Sequence, residues 1–203
     1  MPLRPAVPYD PQTLATTLSE QGVCLLSGLP DSRATEALRE HLLELVSKRA
    51  LKPAAVGHRR AIHLRSEVRG DSTHWLDPES SPAVRDYLAV LEDLRVHLNQ
   101  RLFLGLHEVE AHFACYPVGT FYQRHRDRFR DSDARVVSVV SYLNPDWLPE
   151  HGGALRLHLE DGPTDVLPED GITVCFLSEL EHEVLPATRQ RLSIAGWMRK
   201  RGS

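Results

Sequence analysis

The second half of the chain is a series of short β-type segments separated by turn signals, and this pattern constrains the fold more than any other feature. Each segment is rich in β-branched residues or alternates apolar and polar residues. The segments span residues 109–116, 136–143, 153–159, 172–177 and 192–198. Turn signals such as Asn144-Pro145 and Asp170-Gly171 lie between them. Many short strands joined by turns predict a mainly β fold, a barrel or jelly roll.

The first half is predicted to be rich in helices. Asp31 or Ser32 can cap a helix that runs to about Arg49, with one apolar stripe along it. Ser81 followed by proline is a strong start signal for a second helix, which stops near Gly105. We expect these N-terminal helices to pack outside the sheet as support.

Length and composition indicate one ordinary globular domain. The chain has 203 residues, of which 41% are hydrophobic and 26% charged. We expect a single domain over residues 1–203, with helix-rich support over 1–105 and a jelly-roll core over about 106–198.

Charge and cysteine usage narrow the partners and the compartment. The net charge is −4 and the pI is near 6.3, so no basic field is present to attract nucleic acid or an anionic membrane. No stretch is apolar and long enough to span a bilayer, and the first residues lack a signal-peptide pattern. Cys24, Cys115 and Cys175 are predicted to be reduced, buried thiols of a cytoplasmic protein.

The strongest candidate for chemistry is a metal-ligand set made of His125, Asp127 and the distant His182. In a strand, residues i and i+2 point to the same face, so His125 and Asp127 can chelate one ion. Two imidazoles and one carboxylate suit non-haem Fe(II) better than a structural zinc site. The pair alone is weak support, because chance pairs are expected among 11 histidines.

Arg191 follows His182 by nine residues and is the second candidate. The segments around the two residues are predicted to form a hairpin that places Arg191 close to His182 but deeper in the barrel. The planar guanidinium of a buried arginine suits a carboxylate. That carboxylate is either a ligand's or an internal Asp or Glu, and spacing alone does not separate the two.

Longer motifs surround these residues and carry a family resemblance. They are ACYPVGTFYQRHRD at 114–127, SYLNPDW at 141–147, GGALRL at 152–157, VRGD at 68–71 with Trp75, and the residues His182, Glu183, Val184, Arg191, Ile194 and Trp197. Together they closely resemble the prolyl hydroxylases of the type that modify hypoxia-inducible factor, and their bacterial relatives. The resemblance covers about residues 65–198.

The resemblance implies a double-stranded β-helix oxygenase that uses Fe(II), 2-oxoglutarate and O2, with ascorbate as a reductant. It implies that the three candidate ligands bind iron and that Arg191 pairs with the distal carboxylate of 2-oxoglutarate. It also implies that Tyr142 adds a hydroxyl to that carboxylate and that Tyr116 lines the same pocket. The alternative for both tyrosines is a purely structural place at the edge of the core.

The substrate side is expected to include Arg69, Asp71, Arg135 and Trp197. We expect a salt bridge between Asp71 and Arg135 to fix the basic segment at residues 50–70 over the pocket, and Trp197 to be core packing beside the site. That basic segment is either a solvated loop or a substrate-facing element.

The leading functional hypothesis is a dioxygenase that hydroxylates a prolyl residue in a cytosolic protein, such as a translation factor or ribosomal protein. The first alternative keeps the oxygenase but gives it a free amino acid or other small metabolite as substrate. The second is a metal-binding sensor or interaction protein without turnover. Nucleic-acid demethylation ranks last, because the acidic balance gives little attraction for phosphate.

Overall fold

The computed structural model describes residues 2–54, 67–128 and 134–201. Within these ranges the helices are Pro11–Gln21 (α1), Ser32–Ser47 (α2) and Pro82–Leu102 (α3). The strands are Val7–Pro8 (β1), Val23–Ser27 (β2), Lys52–Pro53 (β3), Ser72–Trp75 (β4), Glu108–Tyr116 (β5), Tyr122–His125 (β6), Arg135–Tyr142 (β7), Leu155–Leu159 (β8), Gly162–Val166 (β9), Ile172–Leu177 (β10), His182–Val184 (β11) and Arg191–Arg199 (β12).

The strands form a large and a small sheet. The large sheet has the order β1-β2-β10-β7-β12-β5-β4-β3, and the small sheet has the order β6-β11-β8-β9. Except for the parallel pair of β1 and β2, neighbouring strands are antiparallel. The fold is a double-stranded β-helix, and the five strands predicted in the second half are present within two residues of their expected bounds.

Alternation along the strands of the large sheet builds one core on each of its faces. On β5, Phe113 joins the core beneath the helices, whereas Ala114 and Tyr116 join the second core. On β7, Val139 belongs to the helix-side core and Tyr142 to the second core. Because successive strand side chains point to opposite faces, this pattern directs a defined set of residues into the space between the two sheets. That space contains the candidate site.

The helices support the outer face of the large sheet, as the sequence predicted. Asp31 caps α2 by accepting a hydrogen bond from the Ala34 backbone N–H at 2.8 Å. Ser81 caps α3 in the same way through the Val84 N–H at 3.1 Å. Helix α1, which the sequence analysis did not identify, also contributes buried leucines to the helix-side core.

The N-terminal half contributes strands as well as helices. Strands β1 and β2 extend the large sheet beyond β10, and β3 and β4 extend it beyond β5. Strand β9, which begins at Gly162, was not among the strands predicted from the sequence. Pro163 is compatible with that strand because β9 lies at the edge of the small sheet, where an N–H is not needed on the open side.

Two further expectations concern the thiols and the membrane. The three cysteines are free and buried, as predicted. Among the residues that the structure describes, no helix is long and apolar enough to cross a lipid bilayer.

Candidate active site

His125, Asp127 and His182 come together at one end of the small sheet. His125 is the last residue of β6, and His182 is the first residue of β11 and its direct cross-strand partner. Asp127 lies in the bend after β6, so the predicted strand geometry is wrong for this residue. Its carboxylate nevertheless lies 3.6 Å from Nε2 of each histidine. One ligand atom from each residue lies within 4.8 Å of the others, close enough to share one ion.

Backbone carbonyls fix the orientation of both imidazoles. Nδ1 of His125 lies 2.7 Å from the Gln123 carbonyl oxygen, and Nδ1 of His182 lies 2.9 Å from that of Leu180. A carbonyl oxygen only accepts, so each Nδ1 carries the hydrogen and donates it. In the neutral imidazole the lone pair then lies on Nε2, the nitrogen that faces Asp127 in both residues. This is the usual arrangement of histidines that bind a metal.

The protonation states suit a metal ion. Burial lowers the pKa of His182 to about 4, against the opposing attraction of Asp127, so its imidazole is neutral near pH 7. For Asp127, burial alone would raise the carboxyl pKa, but the neighbouring His182 and His125 hold that pKa well below its usual range. A neutral imidazole and an ionised carboxylate are the forms that ligate a metal.

Aromatic side chains hold the two histidine rings in place. The Tyr122 ring stacks on His125 with centroids 3.6 Å apart and an angle of 18° between the rings. The Phe176 ring packs edge-on against His182 at 4.8 Å. The guanidinium carbon of Arg69 lies 4.7 Å from the centroid of the Tyr122 ring. Each histidine ring is therefore restrained in two ways, by a backbone carbonyl oxygen at Nδ1 and by contact with an aromatic ring.

This donor set fits Fe(II). Two imidazoles and one carboxylate on the same side of an ion leave coordination positions open, which is the arrangement found in non-haem iron oxygenases. In the part of the chain that the structure describes, these residues form the one group of three or more His, Cys, Asp or Glu side chains close enough to hold a metal.

Arg191 begins β12 in the large sheet and points into the same cavity. The predicted hairpin with the His182 strand is wrong, because β11 belongs to the small sheet and β12 pairs with β5 and β7. The chain crosses between the sheets after Val184, so Arg191 and His182 line the cavity from opposite sheets. Arg191 and His182 therefore line one cavity, but they do so from two sheets and not through a hairpin.

The Arg191 guanidinium is buried, with 1% of the residue exposed, and only part of it is satisfied by protein. Nε donates to the Gly153 carbonyl oxygen at 2.9 Å, and Nη1 donates to Ser193 Oγ at 3.2 Å. Nη2 has no hydrogen-bond partner among the described residues, and neither has the buried hydroxyl of Tyr142. The internal Asp or Glu that the sequence left open as a partner is absent from these contacts.

The two unpartnered groups lie close together. The guanidinium carbon of Arg191 lies 5.1 Å from the Tyr142 ring centroid and 5.2 Å from that of Tyr116. Burial raises the pKa of Tyr142 to about 12, while Arg191 opposes this shift, so the phenol keeps its hydrogen as a donor. A cation and a phenol donor, both buried and short of an acceptor, fit the carboxylate of a small ligand.

A glycine turn positions Arg191. Gly153 has a φ of +70°, and a Cβ there would lie 2.9 Å from the Ala187 Cβ and 3.4 Å from the Arg191 Cδ. Trp147 holds this turn by donating from Nε1 to the Gly152 carbonyl oxygen at 2.9 Å. The GG motif of the sequence thus brings a carbonyl acceptor against the arginine side chain.

The predicted salt bridge between Asp71 and Arg135 is wrong. Asp71 accepts two hydrogen bonds from Arg69, at 2.6 and 2.9 Å, and its own side chain is fully buried. Arg135 instead donates to Glu110 at 2.7 Å and lies 3.7 Å above the Trp197 ring. Arg69 stands two residues from Asp71 and reaches both of its oxygens. Arg135 pairs instead with Glu110 on β5 of its own sheet, across the intervening β12.

Trp197 is largely buried, as predicted, but it also lines the cavity together with Arg69 and His112. The ring of His112 lies 5.2 Å from that of Trp197 and 5.1 Å from that of the exposed Trp75. The cavity holds about 460 Å³ of space, including its open mouth. Most of the basic segment at 50–70 lies outside the described residues.

Sequence reasoning missed two serines at the site. Ser138 and Ser178 are buried, and Ser138 donates to Asp127 Oδ2 at 2.7 Å. The signal was present, because Ser138 precedes Tyr142 by four residues in a predicted strand and must share its inward face. The part that His112 takes in the cavity wall was not predicted from the sequence.

Comparisons with known proteins agree with this geometry. Residues 111–199 match the family model described as the 2OG-Fe(II) oxygenase superfamily. The chain is 42% identical to a prolyl-4-hydroxylase of Pseudomonas putida, whose crystal structure superposes with a TM-score of 0.87 and covers 94% of this chain and 99% of the other. A Trichoplax adhaerens prolyl hydroxylase, solved with a hypoxia-inducible-factor peptide, is 26% identical with a TM-score of 0.84, over 94% of this chain and 89% of the other. Prolyl hydroxylase EGLN3 of Mus musculus is 29% identical over 89% of this chain and 79% of its own length.

Proposed function

Because the chain belongs to the 2OG-Fe(II) oxygenase superfamily and is a 2-oxoglutarate-dependent dioxygenase, we propose that its substrate is a prolyl residue in an extended segment of another protein. One observation carries the proposal. Three candidate metal ligands line the same cavity as Arg191, whose guanidinium has an Nη2 without a hydrogen-bond partner among the described residues. The prolyl substrate is inferred from the 42% identity to a prolyl-4-hydroxylase over nearly the whole of both chains.

In this proposal, His125, Asp127 and His182 hold the iron, and Arg191 and Tyr142 bind the distal carboxylate of 2-oxoglutarate, with Tyr116 lining the same pocket. Bound Fe(II), 2-oxoglutarate and O2 together supply the oxidation: 2-oxoglutarate becomes succinate and CO2, and one oxygen atom enters a C–H bond of the substrate. The protein contributes the orientation of the reactants and the exclusion of water.

The mouth of the cavity suits an apolar ring carried on a chain. Trp75 is 54% exposed, and with His112 and Trp197 it forms an aromatic wall beside the cavity that the ligands line. A pyrrolidine ring packs well against such a wall. Burial lowers the pKa of His112 to about 4, so this wall carries no charge there near pH 7.

We further propose a cytoplasmic protein of the translation machinery as the target, and ascorbate as the reductant that maintains the iron. The three free, buried thiols support a reducing compartment. Charge supports a protein over a nucleic acid, since the net charge of the chain is −4.

The proposal is tested by mapping hydroxyproline by mass spectrometry in cells that express the protein, in cells that lack it, and in cells that express Asp127→Ala. We expect one or a few prolyl sites whose hydroxylation requires the active form. A proteome without any dependent prolyl site, combined with stimulation of succinate formation by a free amino acid, would instead favour the small-metabolite alternative.

A further inference from the structure

Two buried serines form a chain of hydroxyls that ends on the carboxylate of Asp127. Ser138 lies on β7 and is 1% exposed, and Ser178 follows β10 and is fully buried. Ser138 Oγ lies 2.7 Å from Asp127 Oδ2, and the two serine oxygens lie 2.9 Å apart.

The direction of these hydrogen bonds follows from counting hydrogens. An ionised carboxylate only accepts, so the one hydroxyl hydrogen of Ser138 is directed at Asp127. Ser138 can then only accept in its contact with Ser178, and Ser178 must be the donor. The chain runs from Ser178 through Ser138 to Asp127, and each bond polarises the next.

Asp127 needs this support because it lies in a bend and not in a strand. Among the described residues no cross-strand pairing fixes its backbone, and the structure ties the bend to Ser178 instead. The Arg128 backbone N–H donates to the Ser178 carbonyl oxygen at 3.0 Å, and the Ser178 N–H donates to the Val136 carbonyl oxygen at 2.9 Å. Ser178 thereby connects the bend to β7, the strand that carries Ser138.

We propose that Ser138, backed by Ser178, is a positioning residue that sets the orientation of the Asp127 carboxylate for metal binding. The hydroxyl holds Oδ2, the oxygen that lies 3.6 Å from His182 Nε2, and Oδ1 then lies 3.6 Å from His125 Nε2. The contact thereby fixes the plane of the carboxylate between the two imidazoles. The inference rests on the metal site of the proposed function. It adds that the site depends on a hydroxyl that does not touch the metal.

The test measures the Mn(II) dissociation constant of the metal-free protein. Free Mn(II) is quantified by its electron paramagnetic resonance signal, so the assay requires no turnover. Ser138→Ala is expected to raise the Mn(II) dissociation constant about 10-fold, the lower end of what loss of such a supporting contact costs. Ser138→Thr keeps a hydroxyl on the same carbon and is expected to restore most of the affinity. Ser178→Ala is expected to give a smaller rise than Ser138→Ala.

Ser141→Ala is the matched control. Ser141 is also a buried serine on β7, but its hydroxyl contacts Tyr87 and Thr173 on the helix side of the sheet. This variant should lower the melting temperature and leave the Mn(II) dissociation constant within about twofold of the parent.

Each alternative outcome is distinct. An unchanged dissociation constant in Ser138→Ala overturns the inference, whatever happens to stability. An equal loss in Ser138→Thr or Ser141→Ala also overturns it, since the effect would then come from packing. If the parent protein itself binds no Mn(II), the metal site of the proposed function fails first.

Discussion

Replacing Arg191 with alanine is expected to remove most of the affinity for 2-oxoglutarate while the metal site survives. Gly153 and Ser193 already occupy Nε and Nη1, so the contribution to the ligand comes mainly from the unpartnered Nη2. A hydrogen bond to a charged group contributes about 1.5–3 kcal/mol. That range corresponds to an increase of roughly 10- to 150-fold in the 2-oxoglutarate dissociation constant.

The assay is calorimetric titration of 2-oxoglutarate into the Mn(II)-loaded protein, with Mn(II) affinity measured in parallel to show that the ligands remain in place. Arg189→Ala is the matched control, because it removes the same charge two positions before Arg191. Arg189 lies near the surface, where it donates to the Asp146 carbonyl oxygen and packs over the Trp147 ring. The reasoning is refuted if Arg191→Ala binds 2-oxoglutarate like the parent, or if Arg189→Ala loses as much affinity.

Three other predictions concern the ligand, the buried ion pair and one histidine. Asp127→Ala should weaken Mn(II) binding by more than about 100-fold in the same resonance assay, because it removes one of three ligands and their negative charge. Asp71→Ala should lower the free energy of unfolding by roughly 3–5 kcal/mol in urea, because it leaves the largely buried guanidinium of Arg69 without its partner. His112 has a pKa of about 4 when folded and about 6.5 when unfolded, so the unfolded state binds its proton first as pH falls. The free energy of unfolding should therefore drop by up to roughly 3 kcal/mol from pH 6.5 to pH 4, and His112→Gln should flatten this dependence.

Controls for these variants come from exposed residues of the same types. Asp86→Ala breaks an exposed ion pair with Arg85 and should cost less than about 1 kcal/mol. A similar cost for Asp71→Ala would contradict the buried-pair argument. His107→Gln, at an exposed position, should keep the parent's pH dependence. Persistence of the acid-side slope in His112→Gln would assign it to other groups, and parent-like Mn(II) binding by Asp127→Ala would remove Asp127 from the ligand set.

The sequence predicted the features that depend on local periodicity. Alternation in the segment that became β7 is visible in a single sequence, and so is the cap-then-proline signal at Ser81. The prediction that His125, Asp127 and His182 share one ion also matches the observed cluster. The prediction of the cluster holds although Asp127 lies outside the strand. The bend after His125 still directs the Asp127 side chain to the same side as the His125 imidazole.

Features that depend on long-range pairing were not predictable in this way. The short strands β1 and β2 carry little periodic signal, and their position beside β10 is set by tertiary packing. Adjacency in sequence suggested a hairpin around Pro186, but the chain crosses between sheets there. The partner of Asp71 was misassigned because Arg69 and Arg135 are both plausible on charge alone, and only the observed geometry separates them.

The central claim is tested most directly by incubating the Fe(II)-loaded protein with 2-oxoglutarate, isotopically labelled O2 and an extract from cells that lack the protein. The account predicts labelled oxygen in succinate and on a prolyl residue of a protein, and neither product with Asp127→Ala. Labelled succinate without any labelled prolyl residue would contradict the proposed substrate. The absence of labelled succinate from an iron-loaded, folded protein would contradict the proposed assignment of the catalytic site.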